Sequence, residues 1–155
     1  MIRIEIPGRD VIEIEHLVLD YNGTIAEDGE LIEGVADRLL QLKEDVSVHV
    51  LTADTYGTVR QQCEPLGINV ETFPRAGAAE CKLKIVQALG RHCMCIGNGY
   101  NDVLMFGEAE LSVAVIEHEC AFSEAVTSAD VVARSIEDAL DLLLKPNRLR
   151  ATLRS

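Results

Sequence analysis

The chain has 155 residues, enough for one hydrophobic core of ordinary size and too few for two. Its 14 basic and 26 acidic residues leave a formal charge of −12, so nucleic acid and anionic membrane are not expected as partners. An odd count of five cysteines, and the lack of a charged-then-apolar leader before the first strand, point to the reducing cytoplasm; no apolar run approaches the roughly 20 residues that span a bilayer.

Ile2, Ile4 and Ile6 alternate with Arg3 and Glu5, Pro7-Gly8-Arg9-Asp10 turns, and Val11 to Glu15 runs on. This pattern predicts an N-terminal β-hairpin over residues 1–15, an extension of one domain over residues 1–155. Its alternating face suits the edge of a sheet or a second subunit in a homo-oligomer. The apolar run from His16 then ends on Asp20, and Gly23 lets the backbone turn sharply in Tyr21-Asn22-Gly23-Thr24. Asp20 is therefore placed at the carboxyl end of a buried strand, where open α/β sheets bind ligands. Such an aspartate is either incidental to an Asn-Gly turn or a nucleophile toward phosphorus or a magnesium ligand. In the short polar segment Ala26 to Glu30 the acidic groups Glu27, Asp28 and Glu30 read as solvated, and the link to the next helix, residues 34–43, is too short for an inserted lid.

A second strand over residues 46–51 ends in Thr52-Ala53-Asp54-Thr55, followed by a helix over 55–66 and a strand over 68–73. The helix predicted over 78–89 carries Lys82 in its first turn, near the strand tips, with Lys84 solvated. Strand 92–96 places Cys93 and Cys95 on one face as small core residues and runs into Gly97-Asn98-Gly99-Tyr100-Asn101-Asp102, a tight turn that opens a short helix. Strands over 111–116 and 130–132, a helical turn over 122–126 and a helix over 136–144, stopped by Lys145-Pro146, complete the chain. His16 and His49 read as packed or hydrogen-bonded, and His118-Glu119-Cys120 as a loop. Repeated strand–helix units argue for a three-layer, mostly parallel α/β sheet.

In such a sheet Asp20, Thr24, Thr52, Lys82, Asn98 and Asp102 fall at strand ends or helix starts on one side. Phosphoryl transfer to a carboxylate asks for this set: an attacking Asp, a bridging Mg²⁺, a second metal-holding acid, and a Lys and a hydroxyl on the phosphoryl oxygens. The ordered strings LVLDYNGT, VLTADT, CKLKIV and IGNGYNDVLM resemble the four motifs of the haloacid dehalogenase superfamily. The last two are closest to the phosphorylation domain of P-type ATPases, so the chain resembles the capless, soluble P-type ATPase-like members.

The resemblance implies a Rossmann-like α/β/α fold without a cap, Mg²⁺ as cofactor and a small phosphorylated molecule as substrate. It makes Asp20 the nucleophile, with the Tyr21 or Asn22 carbonyl completing the metal shell. Thr52 and Lys82 act on the phosphoryl group, with Gly23, Thr24 and Ala53 also in the substrate site. Asn22 takes the general-acid position, and Asp20, Asn22, Asn98 and Asp102 form the metal set; Asp54 matches an acidic motif position of open role. Two departures stand out. Family phosphatases have Asp at position 22 as general acid and base, a contribution of roughly 10²–10⁴-fold that an amide cannot make. Asn98 replaces a metal-binding Asp and should weaken Mg²⁺ binding. P-type ATPases have Thr at the first of these positions and still form a long-lived aspartyl phosphate. The expectation is thus a slow, Mg²⁺-dependent phosphohydrolase or phosphotransferase; the alternative is an impaired phosphate- or metabolite-binding or assembly protein with the same site geometry. Both Asn residues precede Gly, so deamidation would restore a carboxylate.

Overall fold

The computed structural model describes residues 1–53 and 57–155; Asp54 and the start of the helix predicted from residue 55 lie outside the described residues. Strands β1 (Ile2–Ile4) and β2 (Ile12–Ile14) form the expected antiparallel hairpin. Its apolar side is turned into the protein's own core: Ile4 and Ile14 are fully buried, so the face considered for a second subunit is already covered. Strand β3 (His16–Asp20) follows, then two short strands, β4 (Ala26–Glu27) and β5 (Glu30–Leu31), that the sequence reading missed. They pair around Asp28 and Gly29, both at positive φ, the conformation of a two-residue Asp-Gly hairpin turn.

Helix α1 (Val35–Leu42) leads to β6 (Ser47–Thr52), and the described part of the next helix is α2 (Val59–Cys63), continued by a tighter turn to Leu66. Then come β7 (Asn69–Thr72), α3 (Ala78–Leu89), β8 (Cys93–Gly97), α4 (Val103–Phe106), β9 (Leu111–Val115), α5 (Ser123–Ser128), β10 (Val131–Ala133) and α6 (Ile136–Leu144). Lys145-Pro146 ends α6 as expected, but Pro146 also opens a further helix, α7 (Pro146–Leu153). Proline suits that first position because its missing N–H would have had no partner there.

Six strands form one parallel sheet in the order β10-β9-β8-β3-β6-β7. Leu17, Val18 and Leu19 of the central strand are all fully buried, because helices cover both faces. Leu17 and Leu19 pack with Leu39 of α1 and Leu140 of α6; Val18 packs with Val86 of α3 and Met105 of α4. The result is the three-layer α/β/α arrangement, with β3 at its centre.

Away from the strand tips, Asp141 of α6 joins three elements. Its carboxylate accepts from Arg38 Nε at 3.0 Å, Lys145 Nζ at 3.1 Å and Arg148 Nη1 at 3.2 Å while only 5% exposed. Burial alone would raise its pKa, but the hydrogen bonds and charges of Arg38 and Lys145 outweigh this and lower it. A lowered folded-state pKa is stabilising above the unfolded value, and that stability is lost as pH falls through the folded value. Asp141→Asn is expected to cost about 1–3 kcal/mol at neutral pH, the worth of hydrogen bonds to a charged group. In thermal melts the deficit should shrink below about pH 4.

Candidate active site

Parallel pairing sets the carboxyl ends of β3, β6 and β8 at one level, with Asp20 opposite Leu51 and Leu19 opposite Ile96. The segments that follow these strands therefore open into a common cleft of about 500 Å³. Asp20, Asn22, Thr52, Ala53 and Asn98 line it, together with the start of α3.

Lys82 is fully buried at the base of this cleft. Because α3 starts at Ala78, it lies in the second turn of the helix rather than the first. From there its ammonium donates to Asp20 Oδ1 at 2.6 Å, Asp102 Oδ1 at 2.7 Å and Asn101 Oδ1 at 2.9 Å. All three ammonium protons are taken. The other Asp20 oxygen accepts from Thr24 Oγ1 at 3.0 Å, and the same hydroxyl lies 3.2 Å from Asn98 Oδ1. Thr24 and Thr52 are buried.

Asp102 was expected among the metal ligands. The structure places it behind the lysine, fully buried, with its second oxygen accepting from the backbone N–H groups of Asn98 at 3.0 Å and Gly99 at 2.9 Å. It braces both Lys82 and the Asn98 loop. Gly97 is required for this contact, since a Cβ there would lie 2.4 Å from Asp102 Cγ. Gly23 has a matching role: its φ is +79°, and a Cβ would come within 2.4 Å of Asn98 Nδ2.

Two of the main-chain and side-chain oxygens differ sharply in availability. The Tyr21 carbonyl accepts from the N–H groups of Thr24, Ile25 and Ala26 at 3.0–3.2 Å, so it is drawn into its own turn. Asn22 Oδ1, by contrast, is buried with no hydrogen-bond partner. Among the described residues no group of three His, Cys, Asp or Glu side chains is placed to hold a metal ion. Among the described residues, the donors beside one another at the strand tips are the Asp20 carboxylate and the neutral oxygens of Asn22 and Asn98. Mg²⁺ accepts such a set, since it is commonly held by one or two carboxylates and completes its shell with water and phosphate. The orphaned Asn22 oxygen and the Asp20 carboxylate thus fit a divalent cation.

One cation between two buried anions leaves the cluster negative. Burial, followed by the charge of Asp102, pushes the Asp20 carboxyl up to about 6, with Lys82 and Thr24 pulling the other way. Burial would lower the Lys82 pKa, but the two aspartates overcome it and hold the ammonium charged.

Deamidation at the two Asn-Gly pairs meets a geometric obstacle. Succinimide formation requires the following glycine nitrogen to attack the Asn side chain. The Gly23 N–H donates to the Ala26 carbonyl at 2.9 Å, and the Gly99 N–H to Asp102. Intact-mass and peptide analysis of aged protein should show both residues unchanged, whereas the denatured chain should gain acid at both.

Asn101 and Arg75 also line the cleft, although the sequence reading gave Asn101 no role beyond opening a helix and Arg75 none. Asn101 lay within the fourth motif; Arg75 lies in an irregular segment without a local signature. The other polar residues are placed as expected. Cys93 and Cys95 are buried in the core with their thiol pKa values raised, chiefly by burial. The His16 and His49 rings are hydrogen-bonded to each other at 3.1 Å. His118 pairs with Glu27 at 2.8 Å, and the Cys120 carbonyl accepts from Asn98 Nδ2 at 2.9 Å, so their loop supports the site's edge. Among the described residues no helix is long and apolar enough to cross a membrane.

Residues 3–110 match the haloacid dehalogenase-like hydrolase family. The uncharacterized protein MJ0073 of Methanocaldococcus jannaschii is 46% identical over 78 residues, covering 47% of this chain and 84% of that protein. The soluble P-type ATPase-like phosphatase of the same organism is 26% identical over 126 residues, 79% of this chain, which spans just 46% of that longer protein. Among solved structures, the 3-deoxy-D-manno-octulosonate 8-phosphate phosphatase of Moraxella catarrhalis aligns with a TM-score of 0.71 at 16% identity, over 91% of this chain and 94% of its own. With the family matched over most of its length and the fold shared, this chain belongs to the haloacid dehalogenase-like hydrolases.

Proposed function

We propose that the chain is a magnesium-dependent phosphatase or phosphotransferase acting on small phosphorylated molecules through a phosphorylated Asp20. The observation that carries this reading is the contact of Lys82 Nζ with Asp20 Oδ1 at 2.6 Å, at the base of a cleft at the carboxyl end of a parallel sheet. The likeness to a P-type ATPase-like phosphatase supports it, as does the fold shared with a phosphatase whose structure contains magnesium and phosphate.

Lys82 and Thr24 hold the Asp20 carboxylate in one orientation, so an oxygen is directed at phosphorus without having to be ordered during the reaction. Attack forms the Asp20 O–P bond as the leaving group departs with the electron pair of its own bond to phosphorus. Thr52, which lines the cleft, would hydrogen-bond the phosphoryl oxygens. Magnesium, held by Asp20 with the Asn22 and Asn98 oxygens, would neutralise charge on the transferring group. Asn22 has no proton to give, so the leaving group must depart as an anion, and Asn22 cannot take a proton from the attacking water. Acyl phosphates satisfy the first requirement; the second makes release of phosphate from Asp20 the slow step.

The test is rapid-quench reaction with acetyl phosphate and Mg²⁺. A burst equal to the enzyme concentration, a mass gain of one phosphoryl group on the Asp20 peptide, and slower steady turnover are expected. Thermal stabilisation by acetyl phosphate with neither burst nor turnover would favour the binding-protein reading that the two amides motivate.

A further inference from the structure

The cleft does not end at the transferring group. A hollow of about 330 Å³ continues from it between α3 and the loop after β8, lined by Ala79, Glu80, Tyr100, Val103, Leu104 and Glu124. Its volume lies in the range of small-molecule sites, so it has room for the part of a substrate that is not transferred. Glu80 and Tyr100 stand where the two spaces meet, since both also line the cleft that holds Asp20.

The chemistry of this hollow is aromatic and anionic. Tyr100 is 72% exposed, so most of its ring is open to a ligand, while the edge-on contact with Phe122, with centroids 5.4 Å apart at 66°, limits its motion. Glu80, in the first turn of α3, and Glu124, in the first turn of α5, are exposed acids, and neither belongs to an ion pair among the described residues. Arg75 lines the cleft but not the hollow, and no basic side chain of the described residues lines it. Lys82 is committed to Asp20, Asp102 and Asn101. The negative face of an aromatic ring and two carboxylates, in a chain of formal charge −12, repel a second anion and attract a cation. Val103 and Leu104 add an apolar wall that suits the carbon chain between a cationic group and a phosphate.

Resting on the phosphatase reading of the Asp20 site, we propose that the hollow selects phosphorylated molecules whose leaving group carries a cationic nitrogen. Tyr100 takes the cation against its ring, and Glu80 and Glu124 balance its charge. All three are specificity residues, acting on the part of the substrate that is not transferred.

Calorimetric titration of the full chain in Mg²⁺ with non-hydrolysable phosphonates tests this independently of turnover. Aminoalkylphosphonates of two, three and four carbons are each compared with the alkylphosphonate of the same length, so that the shared phosphonate cancels. The largest of these ratios is expected to be about fivefold in favour of the amine, as an exposed ring and exposed carboxylates warrant. It should fall to about one in Glu80→Gln/Glu124→Gln and to about half in Tyr100→Ala, and be kept in Tyr100→Phe. Glu44→Gln removes an exposed acid before β6, at the end of that strand away from Thr52, and should leave the ratio unchanged, which separates the hollow from attraction by net charge. The altered side chains are all exposed, and circular dichroism of each variant checks that the fold is retained. Equal affinities in the parent chain, a ratio that survives Glu80→Gln/Glu124→Gln or Tyr100→Ala, an equal fall in Glu44→Gln, or no binding of any phosphonate would overturn the proposal. Acetyl phosphate turnover, run in parallel, separates it from the reading beneath it. Turnover without the ratio rejects the selectivity alone, and the ratio without turnover rejects the phosphatase while leaving the ligand class.

Discussion

Asp20→Asn is expected to reduce turnover of acetyl phosphate by about 10⁴-fold or more, and in metal-free solution to make the folded protein more stable at neutral pH. The first effect follows from removing the nucleophile: among the described residues of the cluster Asp20 lines the cleft, whereas Asp102 is fully buried and does not. The second follows from the sign of the pKa shift. The folded value of about 6 lies above the ordinary aspartate range, so burial favours the neutral acid and its ionised form strains the fold. The favourable contribution is present below the unfolded pKa and is lost as pH rises through about 6. The variant should therefore exceed the parent by about 1–3 kcal/mol near pH 8, with the gap closing below about pH 4. Denaturant titrations with a chelator present across this range check the sign; a variant less stable at pH 8 would contradict it.

Lys82→Met should produce the largest loss of stability of any single change near the cleft, about 3–5 kcal/mol or roughly 10 °C in melting temperature. The methylene stem is replaced almost atom for atom, so packing is kept. What goes is the cation between Asp20 and Asp102, which leaves two buried carboxylates facing one another. Adding Asp20→Asn to this background removes one of them and should recover part of the loss, although it removes activity. Lowering the pH should also narrow the deficit, because the unpaired acids then take up protons. An unchanged melting temperature in Lys82→Met would mean that the ion pairs are not formed in solution.

Much of this site was legible because each strand is an apolar run ending in a polar tip. The residues at those tips were identified without knowledge of the fold. The identity of Lys82 followed from the motif, but its role did not follow from its own helix: with Lys84 exposed two positions on, only the burial of position 82 against two separate loops distinguishes them. Asp102 was recognised as part of the site, yet its bracing contacts depend on the absence of a side chain at Gly97, which no linear pattern reveals. The β4–β5 hairpin did have a signal, the Asp-Gly pair, overlooked because the segment is acidic; Glu27 there pairs with His118 at the surface. Helix α7 was missed because Pro146 was read as a stop and not also as a start. Arg75 and Tyr100 reach the cleft through the packing of whole loops, which local spacing does not encode.

The Lys82 contacts to Asp20 and Asp102 close loops of 62 and 20 residues, and Thr24 reaches across 74 to Asn98. No fragment of the chain assembles this cluster by itself. Occupancy of the cleft is thus coupled to global folding: any tight-binding oxyanion clamps several crossover connections together and should raise the barrier to unravelling, protecting even distant strands from proteolysis and amide exchange.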